Sequence, residues 1–270
     1  MSNESNVICD CHAHIFGCRE HYPLAPGADY APANATVSDY QSVLEELEIG
    51  RCVLVQPSIY GTDNRCMLDA LKMLGPRARG IAVVAQDTPY AQLEEMHRLG
   101  VRGIRVNTLP ADGASLDQLP DLEKLVRPLN WHIQILLRQE NLLASFEKIE
   151  RTSTTIVLDH FASFSPVASE EELEALCRLA AKKNIWIKLS APYLFSDCSS
   201  RDLTHYAQFV EKAQRLMPDR LLWATDWPHP ALKNEAISTR HLKDMLTDWV
   251  PCERLRARIG IENPKRLYGF

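Results

Sequence analysis

Three short segments of the chain carry residues that could do chemistry together. The first is Asp10-Cys11-His12-Ala13-His14, which closes an apolar, strand-like run. Residues two apart in a strand project to the same side, so His12 and His14 face one way. Two imidazoles so placed make half of a metal site or a pair that polarises a carbonyl; the plainer alternative is two histidines satisfied within a turn. The second segment, Leu158-Asp159-His160, ends another run with a third imidazole. The third, Ala224-Thr225-Asp226-Trp227-Pro228-His229, ends the last run with a carboxylate. One histidine or aspartate at a strand end is ordinary. Three imidazoles and a carboxylate, all at strand ends, are the parts needed to activate a water molecule and polarise the atom it attacks.

Such residues meet only if the strand ends meet. Short β-branched runs alternate with amphipathic stretches along the whole chain, which is the pattern of βα units around a parallel sheet. The runs predict strands over Val7–Cys11, Arg51–Gln56, Gly80–Ala85, Val101–Asn107, Trp131–Leu137, Thr155–Asp159, Ile185–Leu189 and Leu221–Thr225. Helical spacing covers Ser38–Glu48, Asn64–Leu74, Tyr90–Leu99, Leu119–Leu129, Glu170–Lys183 and Asp202–Leu216. In the fifth of these, Leu173, Leu176, Cys177 and Ala180 share one face, and Ser169 with Glu172 forms a capping box. Eight strands, each followed by a helix, is the count for a closed (β/α)₈ barrel, whose strand C-termini gather at one mouth. An open doubly wound sheet is the rival. It would want a glycine-rich phosphate turn after the first strand, and no GxGxxG stands there. Without repeats, low-complexity tracts or linkers, residues 1–270 read as one domain.

Composition narrows the function. At 270 residues, 46% hydrophobic and with a formal net charge of −5, the chain is long enough to bury roughly three quarters of its unfolded surface. The mild acidity speaks against a duplex nucleic-acid binder, which shows a basic face. The longest apolar runs are strand-sized, short of the ~20 residues that span a bilayer. The start, MSNESN, lacks the charged and apolar regions of a secretory signal. Eight scattered cysteines, with no CxxC pair, read as reduced thiols. A cytoplasmic protein without membrane or nucleic-acid partners, and with homo-oligomerisation open, is expected.

Several motifs resemble the amidohydrolase superfamily, in the branch that contains 2-pyrone-4,6-dicarboxylate lactonase and sugar-acid lactonases. They are DCHAHIFG, YAPANA, GTDNRCMLDAL, GVRGIRVN, WHIQIL, IVLDH, WATDWPHP and the closing ENPKRLYGF, so the likeness runs nearly end to end. DCHAHIFG and TDWPHP are its most specific parts. The resemblance implies a distorted (β/α)₈ TIM barrel, a lactone-opening hydrolase, and a catalytic centre of His12, His14, His160 and Asp226. Asp226 would be the base that takes a proton from water, and the imidazoles would polarise the carbonyl, directly or through an ion. Arg105, at the end of the fourth strand, suits a two-pronged grip on a substrate carboxylate. Tyr30 and Ser58 match substrate-binding positions of the pattern; an exposed loop tyrosine and a turn serine are the alternatives.

Many superfamily members hold a divalent ion at these positions with help from a Lys, Glu or His on a middle strand. Here the middle strands end in Val106-Asn107 and Leu136-Leu137-Arg138, and the lactonase branch includes members that work without a tightly held metal. No cofactor is therefore the expectation, with one zinc or manganese ion on His12, His14, His160 and Asp226 as the alternative. The pyrone-dicarboxylate pattern also supplies several arginines for its carboxylates. Ala111, Ser163 and Leu194 stand at or near those positions, and Arg138 comes from a different strand. The expected substrate is thus a small lactone with at most one carboxylate. Three other readings share the residues: a metal-dependent decarboxylase, a lactone isomerase, and a non-catalytic binding protein on the same barrel. His97, His205 and His241 read as surface histidines, His132 as structural, and His229 as a neighbour supporting Asp226.

Overall fold

Runs of Val, Ile and Leu with both faces apolar belong in a parallel sheet covered on both sides, and all eight form one. The computed structural model describes residues 7–109, 115–137, 142–164, 169–182, 184–196, 200–232 and 238–270; Ala111 and Arg138 lie outside them. The strands are β1 (Ile8–Ala13), β2 (Ile49–Val55), β3 (Ala78–Ala82), β4 (Val101–Asn107), β5 (His132–Leu136), β6 (Ile156–Leu158), β7 (Ile185–Leu189) and β8 (Leu221–Trp223). They pair in sequence order, each parallel to the next. The helices are α1 (Val37–Glu46), α2 (Arg65–Leu74), α3 (Tyr90–Arg98), α4 (Leu119–Val126), α5 (Leu142–Arg151), α6 (Glu170–Lys182), α7 (Ser200–Leu216), α8 (Thr239–Trp249), α9 (Glu253–Ala257) and α10 (Asn263–Tyr268). The expected barrel is the observed architecture.

The barrel closes where the chemistry was expected. Asp226 N–H donates to the His12 carbonyl at 2.9 Å, and His14 N–H donates to the Trp227 carbonyl at 2.7 Å. The β1–β8 seam is therefore built from the residues flanking the candidate site. A buried carboxylate locks it. Asp10 accepts from Thr225 N–H (2.9 Å), Thr225 Oγ1 (2.5 Å), Tyr40 Oη (2.8 Å) and His12 N–H (3.2 Å). Strict alternation from His12 would aim Asp10 inward as well. The β1–β2 register slips between Asp10 and Ala13, so Asp10 serves the seam while His12 serves the site.

Two apolar layers hold the rest. An inner cluster includes Cys9, Val53, Val55, Ile81, Val157, Trp186 and Leu222 and is closed by Tyr268. Arg79 fixes this plug by donating to the carbonyls of Tyr268 and Gly269. A larger cluster lies between the strands and the helices. Helix ends follow local rules. Ser169 and Glu172 make the expected reciprocal cap on α6. Helix α4 gives way to a tighter turn at Arg127–Leu129, where Pro128 supplies no amide hydrogen. The described cysteines are free. Among the described residues, no helix is long and apolar enough to cross a membrane.

Two histidines outside the site differ in kind. His97, expected at the surface, is half-buried and accepts from Trp131 Nε1 at 2.9 Å. His132 is structural, as expected, and almost fully buried. Its ring lies over Gly103, where an added Cβ would come within 2.9 Å of it, so the glycine makes the space. Burial first, and the charge of Lys188 second, push the His132 imidazole down to about 3. The unfolded chain then binds this proton more readily than the folded one at every pH between about 3 and about 6.5. The stability it contributes is full above that range and is lost as pH falls through it, at up to about 1.4 kcal/mol per pH unit. His132→Gln should flatten this part of the curve. Urea unfolding of both proteins at pH values from 7 to 4, about the span that matters, tests this; parallel curves would refute it.

Candidate active site

At the barrel mouth three ring nitrogens and one carboxylate oxygen converge. Asp226 Oδ1 lies 3.5 Å from His14 Nε2, 3.6 Å from His12 Nε2 and 3.9 Å from His160 Nε2. All four side chains are buried. Each imidazole is held from behind by its other nitrogen. His14 Nδ1 donates to the Val55 carbonyl at 2.7 Å, His12 Nδ1 stands 3.3 Å from Asp159 Oδ1, and His160 Nδ1 is bonded to Ser190 Oγ at 2.8 Å. Asp226 is held likewise, since Oδ2 accepts from Tyr193 Oη at 2.7 Å. That hydroxyl also lies 3.3 Å from His229 Nδ1, and His229 Nε2 is 3.0 Å from Thr239 Oγ1. His229 thus supports Asp226 through Tyr193.

Backbone strain aims two of these side chains. Asp226 has φ +60°, and His160, Phe161, Ala162 and Ser163 form a run at +48°, +55°, +58° and +58°. A non-glycine residue in the left-handed region costs about 1–2 kcal/mol, so the surroundings must hold the turn. They do so through Ser163 Oγ, which donates to the Leu137 carbonyl at 2.7 Å. Phe161 adds to this by packing against Tyr206, Phe209 and Trp249.

The electrostatics follow from burial and proximity. Burial pushes the His12 and His160 imidazoles below their ordinary value, and Lys188 adds to the shift at His12. Burial alone would raise the Asp226 carboxyl, but His160, His14 and His12 outweigh it and hold the group well below the usual carboxylate range. Asp226 is ionised.

The donor set fits a divalent ion. Nε2 of His12 and Oδ1 of Asp226 are buried without a hydrogen-bond partner. With Nδ1 of His14 donating to a carbonyl, its Nε2 carries a lone pair, and Nδ1 of His12 faces a carboxylate in the same sense. Acceptors aimed at one point need a positive charge between them, from a protonated imidazole or a cation. Burial disfavours the former. Oriented imidazoles with satisfied outer nitrogens are the arrangement of metal ligands, so the donor set leans toward the metal-bound alternative rather than the metal-free expectation.

The candidate substrate residues lie alongside. Arg105 is buried, with Nε 3.3 Å from Asp159 Oδ2, and it acts electrostatically on both Tyr30 and His160. Burial pushes the Tyr30 hydroxyl up to about 12, against the pull of Arg105 and a hydrogen bond with Ser58. His12, His14, His160 and Asp226 are thus brought together, with Arg105 beside them at Asp159. Four more were passed over: Asp159, Lys188, Gln134 and Tyr193. A lysine inside the apolar run Ile185-Trp186-Ile187-Lys188-Leu189 is a visible signal, because a strand buried on both faces has no solvated side for it.

An eight-stranded parallel barrel with a His-x-His on β1, a histidine after β6 and an aspartate after β8 defines a class of hydrolytic enzymes. Residues 9–270 match the amidohydrolase family, and the chain belongs to it. The chain is 33% identical over 271 residues to a 2-pyrone-4,6-dicarboxylate hydrolase of Comamonas testosteroni, covering 96% of this chain and 89% of that one. It is 29% identical over 270 residues to a 4-sulfomuconolactone hydrolase of Hydrogenophaga intermedia, covering 96% and 88%. The crystal structure of a putative 2-pyrone-4,6-dicarboxylic acid hydrolase from Pseudomonas putida superposes with a TM-score of 0.88 at 28% identity, over 98% of each chain.

Proposed function

We propose that this chain hydrolyses the ring ester of a small lactone carrying at most one carboxylate. The observation that carries the reading is the convergence of Asp226 Oδ1 on three imidazole Nε2 atoms. The names of the relatives, both lactone-directed hydrolases, support it. The lactone carbonyl lies against the imidazole cluster, and water stands between the carbonyl carbon and Asp226. Asp226 Oδ1 accepts the proton of the attacking water while Tyr193 holds Oδ2 and keeps the carboxylate facing the cluster. The tetrahedral intermediate collapses by breaking the ring C–O bond, and the proton on Asp226 passes to the departing alkoxide or enolate oxygen. Arg105 holds the substrate carboxylate, with Tyr30 and Ser58 lining the approach.

A divalent ion held by His12, His14, His160 and Asp226 would polarise the carbonyl and acidify the water. Asp226 would then be both ligand and proton acceptor. Dialysis against a strong chelator should lower turnover, and added zinc or manganese should restore it. Turnover that survives chelation, with no metal in the purified protein, would hand the positive charge to a protonated imidazole. A pH-indicator screen of neutral, monocarboxylate and dicarboxylate lactones tests the activity itself. Carbon dioxide release or an isomeric lactone product would favour the related decarboxylase or isomerase chemistry instead.

A further inference from the structure

Beneath the centre lies a layer of polar groups of which the chemistry above uses only Arg105. Arg105 on β4, Gln134 on β5 and Lys188 on β7 project into the barrel and meet at Asp159, and Lys188 and Asp159 are fully buried. The two carboxylate oxygens face different tasks. Oδ1 is 3.3 Å from His12 Nδ1 and 3.6 Å from Lys188 Nζ. Oδ2 accepts from Gln134 Nε2 at 3.0 Å and from Arg105 Nε at 3.3 Å. Gln134 Oε1 accepts from Lys188 Nζ at 2.6 Å, which orients the amide with its N–H toward Asp159. Oδ2 is thus fully engaged, whereas Oδ1 is buried without a hydrogen bond of its own and rests on its ion-pair contacts with His12 and Lys188.

His12 Nδ1 has two neighbours with opposite demands. Asp159 Oδ1 can only accept a proton from it, whereas Lys188 Nζ, at 3.4 Å, can donate only to a bare nitrogen. The shorter bond of Lys188 goes to Gln134. A bare Nδ1 would also set its lone pair against a carboxylate oxygen. Protonation at Nδ1 satisfies Asp159 and leaves Nε2, which has no hydrogen-bond partner, as a lone pair facing Asp226.

We propose that Asp159, braced by Lys188 and Gln134, is a positioning residue that sets two site side chains at once. Through Oδ1 it holds His12 as the Nδ1-protonated tautomer, and through Oδ2 it holds Arg105 in its site-facing orientation. This rests on the reading of His12 and Arg105 given above for lactone hydrolysis.

The first test needs no substrate. Nitrogen NMR of the labelled, metal-free protein, at a pH where the imidazoles are neutral, should show His12 protonated at Nδ1 and bare at Nε2. Asp159→Asn, whose amide can both donate to and accept from the ring, should turn this into a mixture of tautomers. Gln134→Leu keeps every charge and removes one brace, so it should shift the ratio the same way by less; it stands in if Asp159→Asn does not fold. A wild-type ring protonated at Nε2, or a ring unmoved by both substitutions, overturns the proposal for His12. Kinetics test Arg105. In the same variants KM for a monocarboxylate lactone should rise while KM for a neutral lactone stays, and kcat should fall on both, about 10- to 100-fold for Asp159→Asn. An unchanged KM on both lactones, or an equal rise on both, overturns the proposal for Arg105. Wild-type protein that opens no lactone would sink the hydrolase reading alone, and the ring measurement would still decide the role of Asp159.

Discussion

Asp226→Asn should lower turnover of any lactone substrate by roughly 10²–10⁴, the range for losing a positioned acid or base, with the fold intact. The substitution is nearly isosteric. The asparagine carbonyl can still accept from Tyr193 Oη, which now bonds Oδ2 at 2.7 Å. Its amide nitrogen then takes the place of Oδ1, within reach of the three Nε2 atoms at 3.5–3.9 Å. Its two N–H groups can donate to the His12 and His14 nitrogens after a small approach, so most of the buried site stays satisfied while the proton acceptor is gone. If an ion is bound there, the loss of a charged ligand acts in the same direction. The measurement is kcat for both proteins beside their melting curves. A variant that melts like the wild type and turns over at a near wild-type rate would remove Asp226 from its role.

The second large effect concerns substrate charge. A substrate with two carboxylates needs cations on both sides of the pocket, because desolvating an unpaired carboxylate costs several kcal/mol. Arg105 is inside the site, but two of the positions that would hold further guanidinium groups are otherwise employed. Ser163 spends its hydroxyl on the Leu137 carbonyl, and Leu194 packs against the apolar core. Hydrolysis of 2-pyrone-4,6-dicarboxylate should therefore be poor, with kcat/KM below ~10⁴ M⁻¹s⁻¹, the lower end of ordinary enzyme efficiency. Arg105→Met should raise KM for a monocarboxylate lactone by roughly 10- to 100-fold, the worth of a hydrogen bond to a charged group, and change little for a neutral one. The neutral lactone is the control for disturbance of Asp159, which loses one of its cations in this variant. Efficient turnover of the dicarboxylate would mean that another cation completes the grip.

What the sequence determined by itself is everything that local pattern encodes. Alternating β-branched runs and amphipathic stretches specified eight strands and six of the helices, though not α5 or those after β8, because periodicities of two and 3.6 residues are properties of short segments. His12, His14, His160 and Asp226 were legible for the same reason: each sits at a run's end, and strand ends of one polarity gather at one mouth. Only the tertiary structure decided how these groups face each other. The slip in the β1–β2 register turns Asp10 to the seam and leaves His12 to the site, and no pattern within Val7–His14 marks it. The left-handed turn at His160–Ser163 contains no glycine that would announce it. Tyr193, which no pattern in the sequence singles out, reaches Asp226 because the turn after β7 brings it to the residues that follow β8. Lys188 and Gln134 were visible as polar residues in apolar strands, yet their meeting at Asp159 depends on the tilt and closure of the barrel. Side chains from β4, β5 and β7 and from the residue after β6 share one layer only after the sheet has curled, and that geometry belongs to the whole chain rather than to any segment of it.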